Sequence, residues 1–181
     1  MTTTLVNINS PSIWLAFLTG LFVVECILLF TFRTFPKFWG NTINVWYDNY
    51  GLVAILLDVL IVLIGFWITQ WLYGKLFGEE EKQFKLWKFI LLFLAVQIIH
   101  DILFYILIIK PSKGSNTILE LLQNYGKKHG ALTIAGDSLM VVLAILFTYF
   151  LLDNDLEFGS YIIILLVSVY LIGYLLFQKW Q

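Results

Sequence analysis

Five separate apolar runs, each as long as a bilayer core is thick, dominate this chain. A helix needs about 20 apolar residues to cross a hydrocarbon core of ~30 Å. Residues 12–32, 51–73, 86–109, 131–152 and 158–177 meet that length. In lipid the backbone has no water to bond, so such runs fold as helices that close their own hydrogen bonds. Composition agrees, with 60% hydrophobic and 13% charged residues in 181, against about a quarter charged in soluble domains. The expected fold is an all-α integral membrane bundle of five transmembrane helices, a single domain over residues 1–181. A net charge of -1 leaves no basic footprint for nucleic acid. The single cysteine, Cys26, excludes an intrachain disulfide or a thiolate metal cage.

The ends of the runs are punctuated accordingly. Pro11 stands at the start of the first, where a missing N–H costs nothing. Pro36 and Pro111 follow the first and third, where a helix must stop. Trp14, Trp71, Tyr73, Trp87 and Trp180 lie near run ends, as interfacial anchors do. The first run is too long for a signal peptide and has no basic residues before it. Five crossings put Arg33, Lys37, Lys110, Lys113, Lys127, Lys128 and Lys179 on one side. Lys75, Lys82, Lys85 and Lys88, with Glu79, Glu80 and Glu81 among them, fall on the other. Cytoplasmic loops carry the excess of Lys and Arg, so the C-terminus is expected in the cytosol and the N-terminus outside.

Two cytosolic segments are expected to lie at the interface rather than cross. Residues 36–50 read PKFWGNTINVWYDNY, with Phe38, Trp39, Ile43, Trp46, Tyr47 and Tyr50 at roughly helical spacing. Residues 116–128 read NTILELLQNYGKK, a short amphipathic helix with Asn116 as its cap and lysines near its end. Ile118, Leu119, Leu121, Leu122 and Tyr125 form its apolar side. Both segments suit surface anchoring, or a lid over a site beneath them.

The informative residues are the charges inside the runs. Glu25 lies in the first, Asp58 in the second, His100 and Asp101 in the third, and Asp137 in the fourth. An Asp at a span centre costs about 2.5–3.5 kcal/mol on insertion scales, so four acids are hard to treat as accidental. Counting inward from the expected cytosolic end, with about 1.5 Å per residue, places all four roughly 9–12 Å deep. Tyr170 of the fifth run falls at the same level. Gln97, Asp101 and Tyr105 are spaced i, i+4, i+8 and share one face. Thr133 shares a face with Asp137, and Ser138 is adjacent. Glu25 has apolar neighbours on its face, Leu21, Phe22 and Leu28, and reads as a peripheral member.

Four carboxylates and one imidazole cannot all be ionised in a low dielectric. Some are protonated, or a cation neutralises them, or Lys110 snorkels toward them. Asp58, His100, Asp101 and Asp137 offer the oxygen and imidazole ligands that suit a divalent cation. Three functions stay open. The acids line a pocket for a cation, proton or polar head group. Alternatively they are interhelical glue in a scaffold that assembles with itself or with other membrane or capsid proteins. In the third, they support a metal-assisted enzyme acting on a lipid of the surrounding bilayer.

The strings FPKFWGNTINVWYDNYGLVAILLDVLIVLIGF, QIIHDILFYILIIKP and GDSLMVV resemble a family of small multi-pass membrane proteins of large nucleocytoplasmic DNA viruses that infect algae and protists. The likeness covers residues 35–142, on Trp46, Tyr47, Asp48, Gly51, Asp58, His100, Asp101, Lys110, Pro111, Asp137 and Ser138. It implies a viral source and a virion or infected-host membrane. It implies no mechanism, since the family has no settled activity.

Overall fold

The structure, a computed structural model, describes residues 5–39, 41–78, 84–111, 114, 116–154 and 156–178, with the side chains at 41, 42, 125, 129 and 131 excepted. Lys82, Lys113, Lys179, Trp180, Glu79, Glu80 and Glu81 lie outside them, as does the Tyr125 side chain. Every regular element among the described residues is helical. They are α1 (Pro11–Thr34), α2 (Pro36–Trp39), α3 (Asn41–Tyr50), α4 (Leu52–Phe77), α5 (Leu86–Phe104), α6 (Thr117–Asp153) and α7 (Phe158–Phe177). A π-helical turn, Tyr105–Ile109, extends α5. Five stretches are long and apolar enough to cross a membrane: α1, α4, Leu86–Ile109, Leu132–Asp153 of α6, and α7.

The helix ends follow the sequence chemistry. Ser10 caps α1 by accepting a hydrogen bond from the Ile13 N–H at 3.4 Å, and Pro11 opens the first turn. Asn116 caps α6 through a bond from the Ile118 N–H at 2.8 Å. The turn from α3 into α4 passes through Gly51 at φ +51°, a conformation that a Cβ would strain.

One expectation changes here. The amphipathic segment after Asn116 and the fourth span are a single helix of 37 residues, about 55 Å long at 1.5 Å per residue. Gly126 and Gly130 do not break it. A glycine inside a helix costs roughly 1 kcal/mol against alanine, and Gly126 is where the Tyr105 ring approaches the helix, 3.0 Å from where a Cβ would stand.

α1 is the central and most buried span, packed along α6 and α7; α5 packs on both α4 and α6. The end of the bundle where α1 begins is closed by aromatic rings. Phe17 stacks on Phe66 with centroids 3.8 Å apart, and Phe66 meets Phe89 and Phe93. The segment before α1 adds a plug, with Leu5 and Val6 buried and the Leu5 carbonyl accepting from Gln70 Nε2 at 2.7 Å. All four acids lie toward the opposite end.

Gly20 sets the approach of α1 to α6. A Cβ there would stand 2.9 Å from Thr148 Oγ1 and 3.2 Å from two backbone atoms of α6, so the helices would have to part. We expect Gly20→Ala to lose about 1–3 kcal/mol to overpacking. Gly173→Ala on α7, with open space around it, should be neutral or gain up to about 1 kcal/mol in helix propensity. Thermal unfolding of both variants in detergent checks the opposite signs.

Candidate functional site

Two adjoining cavities are lined by the four acids, and they divide them. The smaller, of about 130 Å³, is lined by Glu25 of α1, Asp58 of α4 and Asp137 of α6. Leu121 and Leu122 from the first turns of α6 and Trp46 and Tyr47 of α3 complete its walls. The larger, of about 940 Å³, lies between α4, α5 with its π-helical turn, and α6; Asp58, Gln97, His100, Asp101, Thr133 and Asp137 line it among mostly apolar side chains. Asp58 and Asp137 line both, so they stand at the boundary. Glu25 and Asp137 are within electrostatic reach of each other and of Asp58, and Asp137 also of Asp101. The four acids that counting along the spans groups together thus line two adjoining cavities.

Glu25 is the most demanding member. Its side chain is 1% exposed, and neither carboxylate oxygen has a hydrogen-bond partner among the described residues. Its apolar neighbours suggest a peripheral role, but α1 is the central helix, with Leu21 and Leu28 in the core and Phe22 packed against it. Asp58 accepts a hydrogen bond from Trp46 Nε1 at 3.3 Å. On α5, Gln97 Nε2 donates to Asp101 Oδ1 at 2.8 Å, and His100 Nδ1 lies 3.1 Å from the same oxygen. The His100 ring stacks on Phe104. Thr133 lines both cavities, while Tyr105 lines the larger and packs on Gly126.

Three sequence candidates lie elsewhere. Tyr170 is 74% exposed on α7. The buried residues of that helix, Tyr161, Ser168, Ile172 and Leu176, put Tyr170 on the outward face, and it lines neither cavity. Ser138 lines neither cavity. Lys110 is exposed beyond the π-helical turn, and its backbone carbonyl, like that of Ile109, accepts from Gln123 Nε2. Nor does a metal cage form. Among the described residues no three His, Cys, Asp or Glu side chains gather closely enough to hold an ion, so Asp58, His100, Asp101 and Asp137 are neighbours without a common centre.

What composition did not single out is how α2 and α3 are fastened over the small cavity. Arg33 is buried at the end of α1 and pairs with Asp48 of α3, Nη1 to Oδ1 at 2.6 Å. Asn44 Nδ2 donates to the Phe32 carbonyl at 3.1 Å. The Phe32 ring meets Trp39 edge-on at 5.1 Å and lies near-parallel to Tyr47 at 6.1 Å. Asn44 and Asp48 are four apart in sequence and so share one face of a helix. That spacing was the available signal.

The Arg33–Asp48 pair is asymmetric, because the guanidinium is buried and the carboxylate is 58% exposed. Asp48→Ala should therefore cost about 1–3 kcal/mol by leaving a buried donor group unmet. Adding Arg33→Met should restore part of that loss, where independent sites would simply add. A double-mutant cycle on unfolding in detergent measures the coupling. No family model, curated protein or solved structure matches the chain, so the chemistry of the site rests on these residues themselves.

Proposed function

We propose that this is an integral membrane protein that binds an organic cation, held through its N–H groups against Glu25, Asp58 and Asp137 beneath α2 and α3. One observation carries the reading: Glu25 is buried with both oxygens unpartnered at a cavity that two further carboxylates line. A buried acid without counter-charge or donor is costly. A cationic ligand with several N–H groups supplies both. An ionisable residue inside a span is, by default, a candidate for function.

The competing chemistries fit less well. A protein site for a divalent ion converges several ligating side chains on one point, and no three such side chains gather among the described residues. Interhelical glue would tie acids from span to span. Here Asp58 is bonded to Trp46 of α3, and Asp101 to its own helix. A metal-assisted enzyme acting on a lipid would need that same gathering of ligands, and Ser138, the hydroxyl next to Asp137, lies off both cavities. In this reading α2 and α3 lie at the membrane interface as a lid. The Lys and Arg bias puts them and the C-terminus in the cytosol, with the N-terminus outside. The viral resemblance would make the membrane that of a virion or an infected host.

Ethylammonium chloride tests the head-group site alone. A ligand of the folded state raises stability by about 2.7 kcal/mol at a hundred times its Kd. The thermal midpoint in detergent should rise with ethylammonium above a sodium chloride control. The rise should vanish in Glu25→Gln and in Asp58→Asn, each of which keeps side-chain size. Equal midpoints in the two salts for the unaltered protein would contradict the reading.

A further inference from the structure

The larger cavity specifies the rest of the ligand. Its apolar walls come from Leu60 and Ile64 of α4, Ile102 and Ile106 of α5 and its π-helical turn, and Ile118 and Leu119 of α6. The first four are each more than two-fifths exposed on the outer surface of the bundle. The cavity is thus a cleft with one side on the face that spans present to lipid, and it meets the acid cavity at Asp58 and Asp137. At about 940 Å³ it is near the upper end of the ~300–1,000 Å³ common for small-molecule sites. A ligand seated at the acids has an apolar channel behind it.

Resting on the head-group reading above, we propose that the ligand is a single-chain primary amine that enters sideways from the bilayer. Its ammonium sits between Asp58, Asp137 and Glu25, and its hydrocarbon chain lies in the cleft. Charge complementarity selects the head. Among the described residues no Lys or Arg lines either cavity, so a zwitterionic phospholipid would bring its phosphate against carboxylates with no such cation to receive it. A primary ammonium offers three N–H donors, which the unpartnered oxygens of Glu25 can accept. A trimethylammonium head carries the charge but none of the donors. The chain leaves one apolar medium for another and gains little from the transfer. The head therefore carries the selectivity, and the chain fixes the route of entry.

The test uses the full chain in phosphatidylcholine nanodiscs and a long-chain primary amine bearing a photoreactive diazirine in its tail. Cross-links mapped by mass spectrometry should fall on the cleft walls around Leu60, Ile64, Ile102 and Ile106. Dodecylamine should compete them away. Dodecyltrimethylammonium and a phosphoethanolamine lipid should compete at least about tenfold more weakly, a difference of 1.4 kcal/mol. Leu60→Trp, which narrows the cleft at an exposed position without touching an acid, should cut the labelling and leave ethylammonium stabilisation intact. Uncompeted labelling spread onto the outward face of α7, or equal competition by the trimethyl analogue, overturns the proposal. If that happens while ethylammonium still stabilises the protein, the head-group site stands and only the lipid-like ligand falls. If ethylammonium also has no effect, both fall.

Discussion

A carboxylate carried into the hydrocarbon layer must meet a proton, a counter-charge or a hydrogen-bond donor, because the surroundings supply none of them. Four acids lie toward one end of this bundle, and among the described residues no Lys or Arg lines either cavity they share. Three of them differ in what meets them. Asp58 accepts from the indole of Trp46, and Asp101 accepts from Gln97 beside His100. Glu25 is left with two free acceptors in the most central helix of the bundle. Structural stability alone would favour an apolar residue there.

The two ends of the bundle divide the work. Rings of Phe17, Phe66, Phe89 and Phe93, with Leu5 and Val6, seal one end. Close packing of that kind is rigid and transmits little freedom to the helices it joins. At the other end the helices separate enough to enclose cavities, and short helices cross the mouth. Among the contacts that hold those short helices are the Arg33–Asp48 ion pair, the Asn44 and Trp46 side-chain hydrogen bonds and the rings of Trp39 and Tyr47 against Phe32.

Much of this was legible in the residues, for physical reasons. Apolar run length located all five spans, and Pro11, Pro36 and Asn116 located helix ends, because bilayer thickness and capping act locally. The end of the bundle that the acids share was also legible, since rise per residue is constant. Azimuth was not. The turns of α7 are apolar on every side, so no amphipathic stripe shows which face meets α1, and Tyr170 could be placed in height but not in direction. The rank of Glu25 depended on α1 being the hub, a property of packing among all five helices. The continuity of α6 through Gly126 and Gly130 was hidden because glycine weakens a helix without forbidding it. The small cavity, in turn, depended on α3 folding back over the end of α1, which Asn44 and Asp48 mark by spacing alone.

The central claim is a contact between an ammonium nitrogen and the carboxylate of Glu25, and solid-state NMR measures it directly. With protein labelled with ¹³C at glutamate side-chain carboxyls and ¹⁵N-labelled alkylammonium in a bilayer, rotational-echo recoupling should reveal a carboxyl carbon within direct hydrogen-bonding range of the ligand nitrogen. That coupling should disappear in Glu25→Gln. A bound ammonium with no coupling to any glutamate carboxyl, or a coupling that survives the substitution, would contradict the account.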